Sequence, residues 1–187
     1  METVSEIKAE RNKIRQMTAV GLMTAVICIL GPVVIPLPFS PVPISFTNLA
    51  LYLSLYVLGT RRALVSYLVY LLIGIVGLPV FSGFAGGFGK VVGPTGGYLV
   101  GFLFMILLSG FFVDRFVSKR WLQALGLVLG TVVSYVFGTL WLCFLAHLDF
   151  AGGLAAGVIP YIPGDILKIA AVLAVGPVLG KRVRRVV

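Results

Sequence analysis

All but two of the 15 lysines and arginines sit in four clusters at the ends of long apolar stretches. The clusters are Lys8, Arg11, Lys13 and Arg15; Arg61 and Arg62; Arg115, Lys119 and Arg120; and Lys181, Arg182, Arg184 and Arg185. Positive residues flanking membrane spans are retained on the cytoplasmic side, so this arrangement reads as a record of topology. Lys90 and Lys168 are the exceptions. Lys168 lies within an apolar segment, three residues after Asp165, where a charge is costly unless it is paired or used.

Composition agrees. The 187 residues are 59% hydrophobic and 11% charged, with a mean hydropathy of +1.10. A soluble domain needs a charged shell that this chain cannot supply, so the expectation is an all-α integral membrane protein in the cell membrane, surrounded by lipid. The net charge of +9 invites a nucleic-acid reading. That charge is divided among short connections without stacking aromatics or a recognition helix, and no nucleic-acid partner is expected. Cys28 and Cys143 lie in apolar segments without metal-ligand spacing. The first apolar stretch runs into Pro32, Pro36 and Pro38 without a small-residue cleavage site, which favours a retained span over a signal peptide.

A membrane span needs ~20 apolar residues. Six segments are expected to form a six-helix bundle, at about residues 17–35, 46–59, 62–77, 96–113, 122–145 and 164–179. The second is brief: at ~1.5 Å per residue it covers roughly 20 Å, less than the ~30 Å hydrocarbon layer. Six spans place both termini and both basic loops on one side, the cytoplasm. The domain reading is then a cytoplasmic segment over residues 1–16, a membrane domain over 17–180 and a basic tail over 181–187.

The three outer loops are nearly free of basic residues and are not ordinary linkers. The first, Pro36-Leu-Pro-Phe-Ser-Pro-Val-Pro-Ile44, carries four prolines that prevent a helix. The second, residues 78–97, is rich in glycine and aromatics, and the third, residues 147–161, is again rich in glycine. Apolar, non-helical backbone is tolerated at a membrane only where protein buries it or a cavity uses it. These loops are therefore expected to fold inward as a lid over the outer end of the bundle.

Asp165 and Lys168 share a helix face by their spacing, just after Pro163 and Gly164 at an expected helix start. They are either a self-neutralising ion pair or a donor and acceptor facing a cavity, and the cost of burying both charges favours the second. Lys90, in a loop without acidic residues, is either a solvated surface lysine or a counter-ion for a ligand carboxylate. The neighbouring Gly96 and Gly97 could let backbone N–H groups approach the same ligand. A phosphate-loop reading of residues 83–91 fails, because Phe84 and Val91 stand where glycine and a hydroxyl residue are required. His147 and Asp149 lack further ligands or a nucleophile and read as loop residues. Tyr135, Trp121 and Trp141 read as interfacial or packing aromatics. Gly21-x-x-x-Ala25 and Gly126-x-x-x-Gly130 are small-residue patterns that admit a neighbouring helix closely.

Four motifs together resemble the BioY family, the biotin-binding S-components of energy-coupling-factor (ECF) vitamin transporters. They are Pro41-Val-Pro-Ile44, Gly77-Leu-Pro-Val-Phe81, Gly93-Pro-Thr-Gly-Gly-Tyr98 and Pro163-Gly-Asp-Ile-Leu-Lys168. The resemblance implies a six-helix fold and an outward-facing biotin pocket. It also implies a partner module of one transmembrane coupling subunit and two ATPase subunits, docked through Gly21 and Ala25. Where the family often carries a glutamine at the start of the second helix, this chain has Thr47 and Asn48. Biotin's ureido ring then suits Asp165 and Lys168, with Lys168 donating to the ureido carbonyl or orienting the Asp165 carboxylate. The rings and chain suit Phe39, Phe81 and Tyr98, and the carboxylate suits Lys90 or loop N–H groups. Biotin is cargo, and no cofactor is expected. The rival readings are an S-component for another small vitamin, a self-sufficient secondary transporter, for which no inverted repeat is visible, and a membrane-embedded enzyme, for which no nucleophile–base pair is visible.

Overall fold

The computed structural model describes residues 4–38 and 40–184. Among the described residues the regular structure is helical apart from one short ladder and an isolated bridge between Phe81 and Ala85. Its order is α1 (Val4–Leu30), β1 (Val34–Ile35), β2 (Ile44–Ser45), α2 (Thr47–Leu58), α3 (Thr60–Ile75), α4 (Phe88–Val92), α5 (Gly96–Arg115), α6 (Arg120–Ala146), α7 (Phe150–Gly157), a 3₁₀ turn (Ile159–Tyr161) and α8 (Ile162–Arg184). Among the described residues, four stretches are long and apolar enough to cross a membrane: Lys8–Leu30, Gly96–Arg115, Arg120–Ala146 and Phe150–Val183. The 12-residue α2 and 16-residue α3 occupy the expected second and third spans but fall short of that length.

Several boundaries differ from expectation. The first helix stops at Leu30 rather than residue 35, because Gly31-Pro32 follows and proline cannot continue the N–H ladder. Val34 and Ile35 instead pair antiparallel with Ser45 and Ile44, closing the proline-rich loop into a hairpin. The second and third outer loops are not wholly non-helical. The second contains α4, and α7 and the 3₁₀ turn fill much of the third. Asp149 caps α7 by accepting from the Gly152 N–H at 3.0 Å, and His147 ends α6 in a left-handed conformation. Local capping thus organises a segment whose glycine content had suggested irregular chain.

The interior mixes an apolar core, with Leu51, Leu55, Tyr67, Met105 and Leu127 fully buried, with small polar residues. Small and polar residues face inward: Ser54, Ser66, Ser109, Gln123, Thr131 and Ser134 are buried. Large apolar residues such as Leu72, Phe111, Phe144 and Leu167 face outward, as lipid contact permits. The α5–α6 pair is the most extensive helix contact. Gly126 seats Phe112, and Gly130 seats Ser109 and Met105, so that small-residue pattern joins α5 to α6. Helix α2 is buried on nearly every face. Its Tyr56 lies across Gly176 and Gly180 of α8. At the same end of the bundle, Asp114 of α5 accepts from the Thr60 N–H and hydroxyl at 2.9 and 2.6 Å, fixing the start of α3.

A Cβ at Gly97 would fall 2.3 Å from Trp141 Cβ and 2.5 Å from the Phe137 carbonyl, whereas one at Gly21 would meet nothing within 4 Å. Gly97→Ala is therefore expected to destabilise the protein by ~1–3 kcal/mol through overpacking. Gly21→Ala is expected to be neutral or slightly stabilising, since alanine favours a helix interior by ~1 kcal/mol. Thermal unfolding in detergent measures both.

Candidate functional site

A cavity opens beside the first turns of α8. Its enclosed volume is about 70 Å³. Helices α2, α3, α5, α6 and α8 wall it, and all three outer loops contribute, through Val42 and Pro43, Ser82 and Thr95, and Tyr161. The loops are tied together above it. The Ser40 hydroxyl donates to the Ala156 carbonyl at 2.7 Å and pairs with the Tyr161 hydroxyl at 2.9 Å. Tyr161 also donates to the Val42 carbonyl, and Tyr98 to the Gly157 carbonyl at 2.6 Å.

Asp165 and Lys168 lie on the cavity wall and are only 6% and 8% exposed. Their ion pair is 2.9 Å long. Lys168 also donates to the Ser45 carbonyl at 2.7 Å and to Asn48 Oδ1 at 3.0 Å, so all three ammonium protons are committed. Asn48 Nδ2 donates to Asp165 Oδ1 at 2.9 Å, which makes the amide a bridge between the two charges. The Tyr135 hydroxyl donates to Asp165 Oδ2 at 2.6 Å. Each charge is thereby paired and hydrogen-bonded, as burial demands. The carboxylate keeps acceptor capacity on Oδ2, because an ionised carboxylate offers about four lone-pair sites.

Local structure explains the arrangement. Ser45 ends β2, outside any helix, so its carbonyl is free for Lys168. Thr47 opens α2, with its N–H bound to the Ser45 hydroxyl at 3.0 Å and its own hydroxyl paired with Ser45 at 2.6 Å. This fixes the first turn of α2 and points Asn48 at α8. Asp165 occupies the first turn of α8, where the helix dipole stabilises a negative charge.

The expected site residues divide. Asp165, Lys168, Thr47, Asn48 and Tyr98 come together on the wall. Phe81, Lys90, Gly96 and Gly97 are not among the residues that line it. Phe81 is buried behind Tyr70, ring to ring at 5.5 Å, and fills the space left by Gly74. Lys90 rides on α4, half-buried and without an ion-pair partner among the described residues; burial holds its ammonium below the ordinary lysine range. Gly96 and Gly97 lack a side chain because Val91 and α6 press against them, so packing accounts for both. Phe39 lies outside the described residues. Gly21 and Ala25 are exposed along a groove between α1 and α3. Sequence reasoning missed Tyr135, Tyr161, Tyr70 and Thr95. Tyr135 could have been found, since Thr131, Ser134 and Tyr135 put polar groups on one helical face inside an apolar span. Among the described residues no three His, Cys, Asp or Glu side chains gather into a metal site.

Breaking a buried pair leaves an uncompensated charge, at ~3–5 kcal/mol. Asp165→Leu and Lys168→Met are each expected to destabilise the protein by that amount. The double variant is expected to lose much less than the sum, measured as a double-mutant cycle on detergent unfolding.

Comparison with known proteins places this chain in a family. The BioY family model matches residues 3–185. The chain is 36% identical to the "Biotin transporter BioY" of Thermotoga maritima over 162 residues, covering 86% of this chain and 94% of that one. It is 34% identical to the "Biotin transporter BioY" of Lactococcus lactis subsp. cremoris over 179 residues, covering 92% of each. Among solved structures it is similar to the S-component for biotin from an ECF-type ABC transporter. That similarity has a TM-score of 0.85 and 30% identity, and covers 91% of this chain and 93% of the other. The wall of acid, amine and amide therefore stands on a shared fold, and the chain belongs to the BioY family.

Proposed function

We propose that this chain takes up biotin as the substrate-binding subunit of an ECF-type transporter. It is a transporter subunit rather than an enzyme, and it resides in the cell membrane as a multi-pass protein. One observation carries the site assignment: the buried Asp165–Lys168–Asn48 network lies on a cavity wall instead of inside solid packing.

In this reading a ureido N–H of biotin donates to the Asp165 carboxylate, which is held from three sides by Asn48, Lys168 and Tyr135. Lys168 orients the carboxylate; its protons are already committed, which supports that role over direct donation to the ureido carbonyl. The rings and chain of biotin lie against Tyr98, Leu99 and Phe102. The bound outer loops act as the lid. Helices α1, α2, α3, α5, α6 and α8 form the six membrane helices, with both termini cytoplasmic, as the basic clusters require. The exposed α1 stripe at Gly21 and Ala25 meets the coupling subunit, which works with two ATPase subunits.

Three experiments test this. Protein purified in detergent, stripped of its ligand and analysed by mass, is expected to release biotin; a different vitamin would keep the transporter class and discard the substrate. Asp165→Asn is expected to weaken biotin binding roughly 10–100-fold, from ~1–3 kcal/mol of lost hydrogen bonding; unchanged affinity would remove Asp165 from the site. Gly21→Leu is expected to leave biotin binding intact while abolishing ATP-dependent uptake in liposomes that carry the full transporter.

A further inference from the structure

Helix α1 packs against α2 and α3 and hardly touches α8, so the first and last long helices leave a seam between them. The seam is an open groove of about 700 Å³, lined by Ile14 and Leu22 of α1, Val57 of α2 and Leu179 of α8. Ile14 and Leu22 are 63% and 64% exposed. Thr18 also lies on this wall, but its hydroxyl donates to the Ile14 carbonyl at 3.0 Å and offers the groove no free proton. Above Arg15 the wall is therefore apolar. It rises roughly 10 Å to Leu22, at ~1.5 Å per residue.

One end of the groove is charged. Arg15 of α1 and Arg182 of α8 both line it, although they come from opposite ends of the chain. Both are exposed, and neither has an ion-pair partner among the described residues. No acidic residue lines the groove. An arginine beside a membrane span needs no partner, since it reaches water along its own stem. The convergence of two on one apolar seam is a different matter. The guanidinium fork matches the oxygens of a phosphate, and hydrocarbon fills the space beside it.

A second copy of this chain suits the seam poorly. Copies paired about an axis along the membrane normal would bring both arginine pairs together, like charge against like. The coupling subunit is assigned to the other face of α1, where Gly21 and Ala25 border the groove with α3. We propose that the α1–α8 seam binds an anionic phospholipid of the leaflet beside the two termini. Arg15 and Arg182 hold its phosphate, and an acyl chain lies along Ile14, Leu22 and Leu179. Basic pockets between membrane helices take lipid headgroups on the same physical grounds. The site lies at the opposite end of the bundle from the cavity at Asp165 and does not depend on what that cavity binds.

Native mass spectrometry of the detergent-purified protein tests this, with phosphatidylglycerol and phosphatidylcholine of the same acyl chains as probes. The wild type is expected to hold phosphatidylglycerol several-fold more tightly. Arg15→Gln and Arg182→Gln are each expected to weaken that lipid roughly fivefold, and the double variant to abolish the preference. Arg61→Gln combined with Lys119→Gln removes as much charge from exposed residues outside the groove and is expected to leave the preference intact. Leu22→Trp, which fills the groove, is expected to weaken both lipids. All variants are expected to unfold at the wild-type temperature in lipid-free detergent, because the altered side chains are exposed. Equal retention of the two lipids by the wild type overturns the proposal, since it marks ordinary boundary lipid. An equal loss in the Arg61 and Lys119 double variant also overturns it, since it marks diffuse surface charge. A lipid-free dimer that Leu22→Trp abolishes overturns it in favour of contact between copies.

Discussion

The structure turns on a carboxylate and an ammonium held in an apolar bundle by a single amide. Asp165 and Lys168 could neutralise each other across one turn of α8, yet an ion pair alone leaves protons and lone pairs unsatisfied in low dielectric, where that is most costly. Asn48 resolves this, because an amide both donates and accepts. It donates a hydrogen bond to Asp165 and accepts one from Lys168, so α2 is joined to α8 through the very groups whose charge must be contained. The last proton of Lys168 goes to the Ser45 carbonyl. Had the first outer loop been helical, that carbonyl would have been consumed within the helix. The prolines between residues 36 and 43 prevent this, and the two-pair ladder between Val34–Ile35 and Ile44–Ser45 sets the carbonyl where the lysine ends.

Helix α2 can serve as an interior wall because its neighbours are small where they touch it. Gly176 and Gly180 accept Tyr56, and Tyr52 reaches across to share a hydrogen bond with Thr131 at 2.5 Å. Hydrophobicity supplies no drive between helices in lipid, so close packing and interhelical hydrogen bonds must. The glycine seam between α5 and α6 and the threonine capped by Asp114 follow the same logic. They leave the opposite, outer half of the bundle free to hold a cavity without loss of cohesion.

Charge and apolar periodicity made much of this legible in advance. Three of the four basic clusters marked helix ends, whereas the first, Lys8 to Arg15, lies inside α1, and the cost of two buried charges singled out Asp165 and Lys168. The small-residue pattern at Gly126 and Gly130 marked a real helix seam. What stayed hidden depended on three-dimensional neighbours. Lys90 looked like a ligand group because it lacked an acidic neighbour in sequence, but α4 carries it off the wall. Gly96 and Gly97 looked like backbone left open to a ligand, while their openness is filled by Val91 and Trp141. Tyr70 and Thr95, whose buried hydroxyls have no hydrogen-bond partner among the described residues, gave no signal, because an unpaired hydroxyl is a property of what surrounds a residue and not of its identity.

Tyr135 shows how the two environments of this protein meet in one side chain. It lines the cavity that holds Asp165 and Lys168 and also an apolar groove between α6 and α8, walled by Val128, Val132, Val136, Ile162, Ile166 and Ile169. Asp165 borders both spaces as well. Their 2.6 Å hydrogen bond is therefore part of the partition between a polar interior and a surface suited to hydrocarbon. A tyrosine fits that place because its ring can face apolar neighbours while its hydroxyl satisfies a carboxylate. Phenylalanine would leave one oxygen of Asp165 without its donor, and serine would open the partition. The low dielectric on the groove side strengthens the bond that remains, so the apolar face of the bundle itself helps to hold the acid in position for a guest on the other side.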